Sequence, residues 1–274
     1  MPATLSRRLA DSRHGTLHVW LTAERADERP LVMLHMSPQS GRQFHGIAEL
    51  LAERRQLVMP DRLGFGHSDA VPSALAFEEY GLATLDALDK LGIGEFDLLG
   101  IHTGTCEAIS IALDVPARVS TLTLVALPVF SVEELREFRS VYAQPPELPE
   151  DGSHLIQVWE RFRRWQCEAD GWPLELVNER TLEDVRAWPS SGVMYSALFD
   201  YPTAERLAQV SQPLLVYTPR DDIWTQTQRG LDALPAGAEV VDLSHLTHEI
   251  FALAPKEIAP HLESFLDRNA AETP

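Results

Sequence analysis

The sequence predicts an α/β fold, and three observations along its 274 residues support this prediction. Short apolar runs rich in leucine and branched residues recur along the chain, as is typical of strands that are buried on both faces. Helix-like segments separate these runs, and such alternation favours right-handed crossovers between parallel strands. One long segment, at about 130–206, contains no strand-like run. We therefore expect a mostly parallel central sheet with helices on both faces and a helical insertion.

The elements follow in order along the chain. The first thirty residues contain LSRRLA and TLHVWLTA around DSRHG, which predicts an N-terminal hairpin with Gly15 in its turn. Six further strands are expected at PLVMLH (30–35), QLVMPD (56–61), FDLLGI (96–101), STLTLVAL (120–127), QPLLVYTP (212–219) and AEVVDLS (238–244). Between them, helices are expected at Gln43 to Arg54, Glu78 to Leu91, Thr105 to Asp114 and Pro255 to Leu266.

The segment that interrupts this alternation is expected to be a helical cap over the sheet. It contains three helix-like stretches joined by turns with proline and glycine, and four of the six tryptophans fall in it. An insertion after the sixth strand would lie over the carboxyl ends of the strands, where open α/β folds bind ligands. We expect a core formed by residues 1–130 and 207–274, with a cap at 131–206.

Composition excludes several classes of protein. A hydrophobic content of 45% is ample for a buried core, while a net charge of −18 would repel a phosphate backbone, so no nucleic-acid partner is expected. Nothing near Met1 resembles a signal peptide and no apolar run reaches membrane-spanning length, so we expect a cytoplasmic protein with no membrane partner. Cys106 and Cys167 lack the spacing of a disulfide framework or a zinc site.

Three signals in the core are expected to carry chemistry. The pentapeptide GIHTG, Gly100 to Gly104, follows a predicted strand and opens a predicted helix, the context of a nucleophile elbow, but its central residue is His102. Its glycines suit a turn too tight for side chains. Asp221 and Asp222 follow a later strand, and His248 stands seven residues before Pro255. The order of elbow residue, acid and histidine is that described for α/β-hydrolases.

Over nearly its whole length the chain resembles the α/β-hydrolase superfamily. Besides the elbow, LHMSPQS is similar to the HGxP oxyanion loop of that family, and PDRLGFGHSD is similar to its DxxGxGxS turn. The resemblance implies an α/β-hydrolase fold with a catalytic triad and an oxyanion hole. It places His102 at the nucleophile position, Asp222 at the acid, His248 at the base, and the backbone N–H groups of Ser37 and Thr103 in the oxyanion hole.

Two departures from the family pattern concern the reaction. Met36 replaces the usual glycine of the oxyanion loop, and His102 cannot form an acyl-serine. The imidazole of His102 could attack a carbonyl, act as a base or polar anchor beside the pair of His248 and Asp222, or belong to a pocket that only binds. We favour the base or anchor. Two imidazoles this close predict a depressed pKa for one of them.

Each assigned residue has a rival. Asp221 competes with Asp222 because the match depends on a one-residue alignment, and His245 competes with His248 as the base. Cys106 lies near a helix N-terminus, which could lower its pKa, but a free cysteine there more often fills a small core position. His35 is expected to hold the oxyanion loop through a backbone bond.

We therefore expect a hydrolase that acts on a small, largely apolar carbonyl compound such as an ester, lactone, thioester or diketone. The alternatives are a cofactor-free lyase or isomerase and a non-catalytic ligand-binding protein. No cofactor and no metal are expected, since no phosphate-cradling loop or close-spaced ligand motif is present. A homodimer is an open question. Met36 and aromatic cap residues are the predicted substrate contacts: Trp159, Trp165, Trp188, Tyr195 and Phe199.

Overall fold

The computed structural model describes residues 4–25, 28–71, 73, 75–144, 147–164 and 171–270. Within them a sheet of eight strands has the order β1-β2-β4-β3-β5-β6-β7-β8. The first two strands form an antiparallel hairpin, β2 pairs antiparallel with β4, and all other neighbours are parallel. The strands are β1 (Ser6–Ser12), β2 (Gly15–Leu21), β3 (Leu31–Leu34), β4 (Leu57–Pro60), β5 (Phe96–Ile101), β6 (Val119–Val125), β7 (Leu214–Pro219) and β8 (Glu239–Leu243).

Helices cover both faces of this sheet, because its central strands are apolar on both sides. All residues of β3, β4, β5 and β7 are buried. Two large apolar clusters lie against the sheet. The helices of the core are α1 (His45–Leu51), preceded by a 3₁₀ turn at Gly41–Phe44, then α2 (Phe77–Lys90), α3 (Thr103–Asp114), α7 (Thr203–Leu207), α8 (Trp224–Leu231), α9 (Ile250–Leu253) and α10 (Pro255–Ala270).

The predicted α/β class and the four expected core helices are confirmed, with shifted boundaries. The expected helix at 43–54 is split into the 3₁₀ turn and α1. The last predicted strand differs in burial: β8 is largely exposed, with only Leu243 buried, because it lies at the edge of the sheet. Its apolar residues therefore gave a misleading signal of burial on both faces.

The insertion follows the sixth strand, as predicted, and its described residues form helices joined by turns and irregular segments. It comprises α4 (Val132–Tyr142), α5 (Ser153–Phe162) and α6 (Leu174–Asp200), a single helix of 27 residues that contains Pro189. Val158, Phe162, Trp172 and Val177 form a small apolar cluster of their own. The division into domains at residues 131 and 206 stays a prediction. Among the described helices, none combines the length and the apolarity needed to span a membrane.

Candidate active site

His102 occupies a strained turn between β5 and α3. Its backbone has φ 50° and ψ −115°, and its N–H donates to the carbonyl of Val125 at 3.0 Å. The flanking glycines permit this turn: a Cβ on Gly100 would lie 2.3 Å from the carbonyl oxygen of Gly104, and one on Gly104 would lie 2.1 Å from that of Leu34. Such strain in a residue other than glycine persists where the surroundings enforce it, and it is often found at functional sites.

The imidazole of His102 is paired with Asp221. Its Nε2 lies 2.9 Å from Oδ2 of Asp221, and the two side chains are 14% and 2% exposed. Burial alone would lower the pKa of His102. The charge and hydrogen bond of Asp221, joined by the charges of Asp222 and Glu249, outweigh burial and raise the pKa to about 9. At neutral pH, His102 is therefore an imidazolium.

A second pair stands beside the first. His248 Nε2 lies 3.1 Å from Oδ1 of Asp222, and its Nδ1 is buried without a hydrogen-bond partner among the described residues. Desolvation by the surrounding protein would raise the pKa of Asp222, but the hydrogen bond from His248 and the charges of both histidines lower it to about 2. Burial likewise lowers the pKa of His248, yet Asp222 raises it above its usual 6.5.

The two imidazoles face each other across a short gap. Their ring centroids are 6.4 Å apart and their planes differ by 29°, so the two histidine–aspartate pairs belong to one site. The expectation that one histidine would have a depressed pKa is wrong. It assumed a single carboxylate, whereas Asp221 and Asp222 each hold one ring.

The predicted oxyanion loop lies beside the elbow, but one of its donors is already engaged. The N–H of Ser37 donates to Oγ1 of Thr103 at 2.8 Å. Thr103 is the first residue of α3, so its own amide has no partner inside that helix. Ser37 and Thr103 therefore lie together. The amide of Thr103 remains available to a bound oxygen, whereas the amide of Ser37 is already used.

A buried guanidinium that the sequence analysis did not identify supports this loop. Arg62 Nε donates to Glu107 at 2.6 Å, and its Nη1 reaches the hydroxyls of Ser37 and Thr103 at 3.1 and 3.2 Å. A glutamate in the otherwise uncharged stretch TGTCEAISIAL was the available signal that a buried cation must lie nearby.

His35 has the structural role that was expected. Its Nδ1 donates to the carbonyl of Met36, and its Nε2 accepts from the amide of Arg62 at 2.9 Å. Burial, followed by the charge of Arg62, lowers the pKa of His35 to about 4, so the ring stays neutral and holds the two loops together. Met36 itself is half-buried against the apolar cluster beneath this loop.

Few of the predicted cap contacts lie at the two pairs. Tyr195 is part of the inserted helices, where burial, followed by the negative charges of Asp184 and Asp222, raises the pKa of its hydroxyl. Phe199 packs with Tyr195 in an aromatic group between α4 and α6. Trp159 and Trp188 pack on the small apolar cluster of the insertion, and Trp165 lies outside the described residues.

Trp172 was missed as a site residue. It is 3% exposed and meets the His248 ring edge-on, with centroids 6.4 Å apart. The sequence placed it among the cap tryptophans, but nothing in its spacing distinguished it from the others.

Of the three rival residues, Asp221 belongs to the first pair, whereas His245 and Cys106 have other partners. His245 is exposed and bonds Glu257 at 2.8 Å. Cys106 is fully buried, its Sγ lies 3.5 Å from the hydroxyl of Thr203, and burial raises the pKa of its thiol to about 12. A thiol with that pKa is not a nucleophile at neutral pH.

Two groups of described residues have donor types and spacings that a metal ion could use. One is His102, Asp221 and Asp222, and the other is His18, Asp61 and His67; in each, one ligand atom per residue lies within 4.8 Å of the others. In both groups a carboxylate already accepts from a histidine ring at 2.9 Å. We treat them as hydrogen-bonded pairs and assign no metal ligands.

Comparison with known proteins agrees with this architecture. A family model described as alpha/beta hydrolase fold matches residues 29–251. Proline iminopeptidase of Lactobacillus acidophilus is 22% identical, with 92% of this chain and 94% of the relative covered. 2-Hydroxymuconate semialdehyde hydrolase of Pseudomonas sp. is 29% identical over 44% of each chain. The structure of an enol-lactonase from Burkholderia xenovorans superimposes with a TM-score of 0.78 at 19% identity, covering 95% of this chain and all of that one.

Proposed function

Because the chain belongs to the α/β-hydrolase fold family, we propose that it hydrolyses a small, largely apolar carbonyl compound without forming a covalent enzyme intermediate. In this proposal His102, His248 and Asp222 replace the serine triad, as the sequence resemblance implied. Asp221 is added to them as the partner of His102.

The observation that carries the proposal is the pairing of His102 with Asp221. A pKa of about 9 keeps the imidazole protonated at neutral pH, and an imidazolium has no lone pair with which to attack a carbonyl. It has two N–H donors instead. One is held by Asp221, and we assign the other to the carbonyl oxygen, where it would stabilise the negative charge that develops during attack. The amide of Thr103 would be the second donor.

His248 is then the base. His248 Nε2 lies 3.1 Å from Oδ1 of Asp222 and 3.4 Å from the Asp222 amide nitrogen. We assign the ring proton to Nε2, facing the carboxylate, which leaves the lone pair on Nδ1. In the proposed step that nitrogen takes a proton from water while the water oxygen bonds to the carbonyl carbon, giving a tetrahedral oxyanion. Collapse of this intermediate breaks the bond to the leaving group, which receives the proton from His248. Asp222 stabilises the imidazolium that forms in between.

The surroundings support an uncharged, apolar substrate. Trp172 lies against His248, with ring centroids 6.4 Å apart. With His102 protonated and His248 neutral as the base, the two pairs carry one net negative charge, which disfavours an anionic substrate. Met36, Ser37 and the remaining aromatic contacts predicted from sequence stay proposals.

Turnover of a compound panel tests this function. The panel contains short-chain esters, lactones, thioesters and β-diketones, with a proline-terminated peptide and a ring-cleavage semialdehyde added because relatives are named for them. With a compound that is turned over, His102→Ala and His248→Ala are each expected to lose at least about 100-fold in kcat/KM. His245→Ala is the matched control and should retain activity. Unchanged turnover in both site variants contradicts the proposal.

A cofactor-free lyase or isomerase is the second candidate, favoured by the lack of a hydroxyl or thiol at the elbow. The same two pairs could remove a proton next to a carbonyl and stabilise the enolate. Reaction in heavy-oxygen water separates the two functions, since hydrolysis must place the label in the product and isomerisation does not.

A further inference from the structure

A buried ion pair joins the inserted helices to the loop that carries His248. Arg180 lies on α6, and its Nη2 donates to Oε2 of Glu249 at 2.8 Å. Both residues are 2% exposed. Glu249 directly follows His248 in the chain, so this contact runs from the insertion to the residue beside the proposed base.

Stability alone is a poor explanation for this pair. Removing two charges from water costs several kcal/mol per ion, and an apolar pair of similar volume often stabilises a fold equally well. Arg180 Nε and Glu249 Oε1 also remain buried without partners among the described residues, which adds to the cost. What the pair does supply is one directional contact between two defined atoms.

The backbone of Glu249 has an unfavourable conformation, which the ion pair with Arg180 helps to maintain. Its φ of 58° and ψ of 36° are left-handed, a conformation that costs about 1–2 kcal/mol in a residue other than glycine. On the C-terminal side, Ile250 and Phe251 are buried, and the carbonyl of Phe251 approaches Gly46 so closely that a Cβ there would lie 2.7 Å away. The core therefore fixes one end of the loop, and Arg180 fixes the side chain next to His248.

We propose that Arg180 is a positioning residue, which acts through Glu249 to hold the His248 loop where the ring meets Asp222. This inference rests on the proposed function in so far as it takes His248 as the base. Through the ion pair of Arg180 and Glu249, the packing of α6 on the core is coupled to the position of the His248 ring.

Arg42 provides a matched control. It also bridges the core and α6, with Nη2 3.6 Å from Glu179 and Nε 4.0 Å from Glu183, but it contacts neither His248 nor Glu249. Loss of Arg42 therefore weakens the attachment of α6 without touching the loop.

The test compares three proteins with the wild type: Arg180→Lys, the double variant Arg180→Met/Glu249→Leu, and Arg42→Met. The double variant removes both charges together, so no buried charge is left unpaired and the fold is kept. We expect its kcat to fall about tenfold to a hundredfold with little change in KM, because the base is misplaced and the substrate contacts are not. Arg180→Lys should recover part of this loss, and Arg42→Met should keep the wild-type kcat.

A second readout needs no substrate. The ring ¹⁵N signals of His248 in the ligand-free protein should shift in the double variant and stay in place in Arg42→Met. Wild-type ring signals and kcat in the double variant would overturn the inference, as would an equal loss of kcat in Arg42→Met. If no compound is turned over by the wild type, the proposed function fails, and the ring signals still decide whether Arg180 positions His248.

Discussion

The free energy of unfolding of the wild type should fall as the pH rises from about 6.5 through 9. Replacing Asp221 with asparagine should remove most of this fall. In the wild type the pKa of His102 is raised from 6.5 to about 9, mainly by Asp221 with smaller contributions from Asp222 and Glu249. This shift corresponds to about 3 kcal/mol at about 1.4 kcal/mol for each tenfold change. Because the pKa in the folded state is above that in the unfolded chain, this stabilisation is fully present below pH 6.5. It is lost as the pH rises through about 9. Asparagine keeps an Oδ1 that can accept from the Ile223 amide, as Asp221 does at 3.1 Å.

Urea unfolding at several pH values between 6 and 10.5 measures the effect. We expect the variant to be less stable than the wild type by about 2–3 kcal/mol at pH 6, with the difference shrinking toward zero above pH 10. Titrations common to both proteins cancel in the difference. Glu257→Gln is the control, because its pair with His245 is exposed and contributes little. A difference that stays constant from pH 6 to 10.5 would refute the reasoning.

Three further predictions follow from the same contacts. Turnover should show a bell-shaped pH profile, rising through the raised pKa of His248 and falling near pH 9 as His102 loses its proton; a plateau that extends past pH 10 would count against the assigned roles. Cys106→Ala should retain activity, and the native thiol should resist alkylation at pH 7.5, measured by mass spectrometry. Gly104→Ala should destabilise the protein by about 3 kcal/mol or more in thermal or urea unfolding, whereas Gly94→Ala, whose Cβ meets nothing within 4 Å, should be tolerated.

The sequence was sufficient for the architecture and for the position of the elbow. Hydrophobic runs and their spacing are local signals, and the two glycines around His102 are required by backbone contacts that any tight elbow makes. The family resemblance placed an aspartate after β7 and His248 in one site, but it left open which of the two adjacent aspartates would meet His248.

The charge state of His102 was not predictable in the same way. Asp221 and Asp222 are adjacent in the chain, and no pattern shows that one turns inward to His102 while the other meets His248. Which aspartate meets His102 depends on how three segments meet in space: the end of β7, the loop before α8 and the elbow. Buried charged pairs such as Arg62 with Glu107 are equally invisible to periodicity, since a single polar residue in an apolar stretch names no partner.

The protonation state of His102 at neutral pH tests the central claim most directly. Its two ring nitrogens can be observed by ¹⁵N NMR in protein labelled at histidine, with His102→Gln used for assignment. We predict that at pH 7.5 both nitrogens show the nearly equal shifts of an imidazolium and that they separate only near pH 9. Two well-separated shifts at pH 7.5, characteristic of a neutral ring, would contradict the account and restore His102 as a candidate nucleophile.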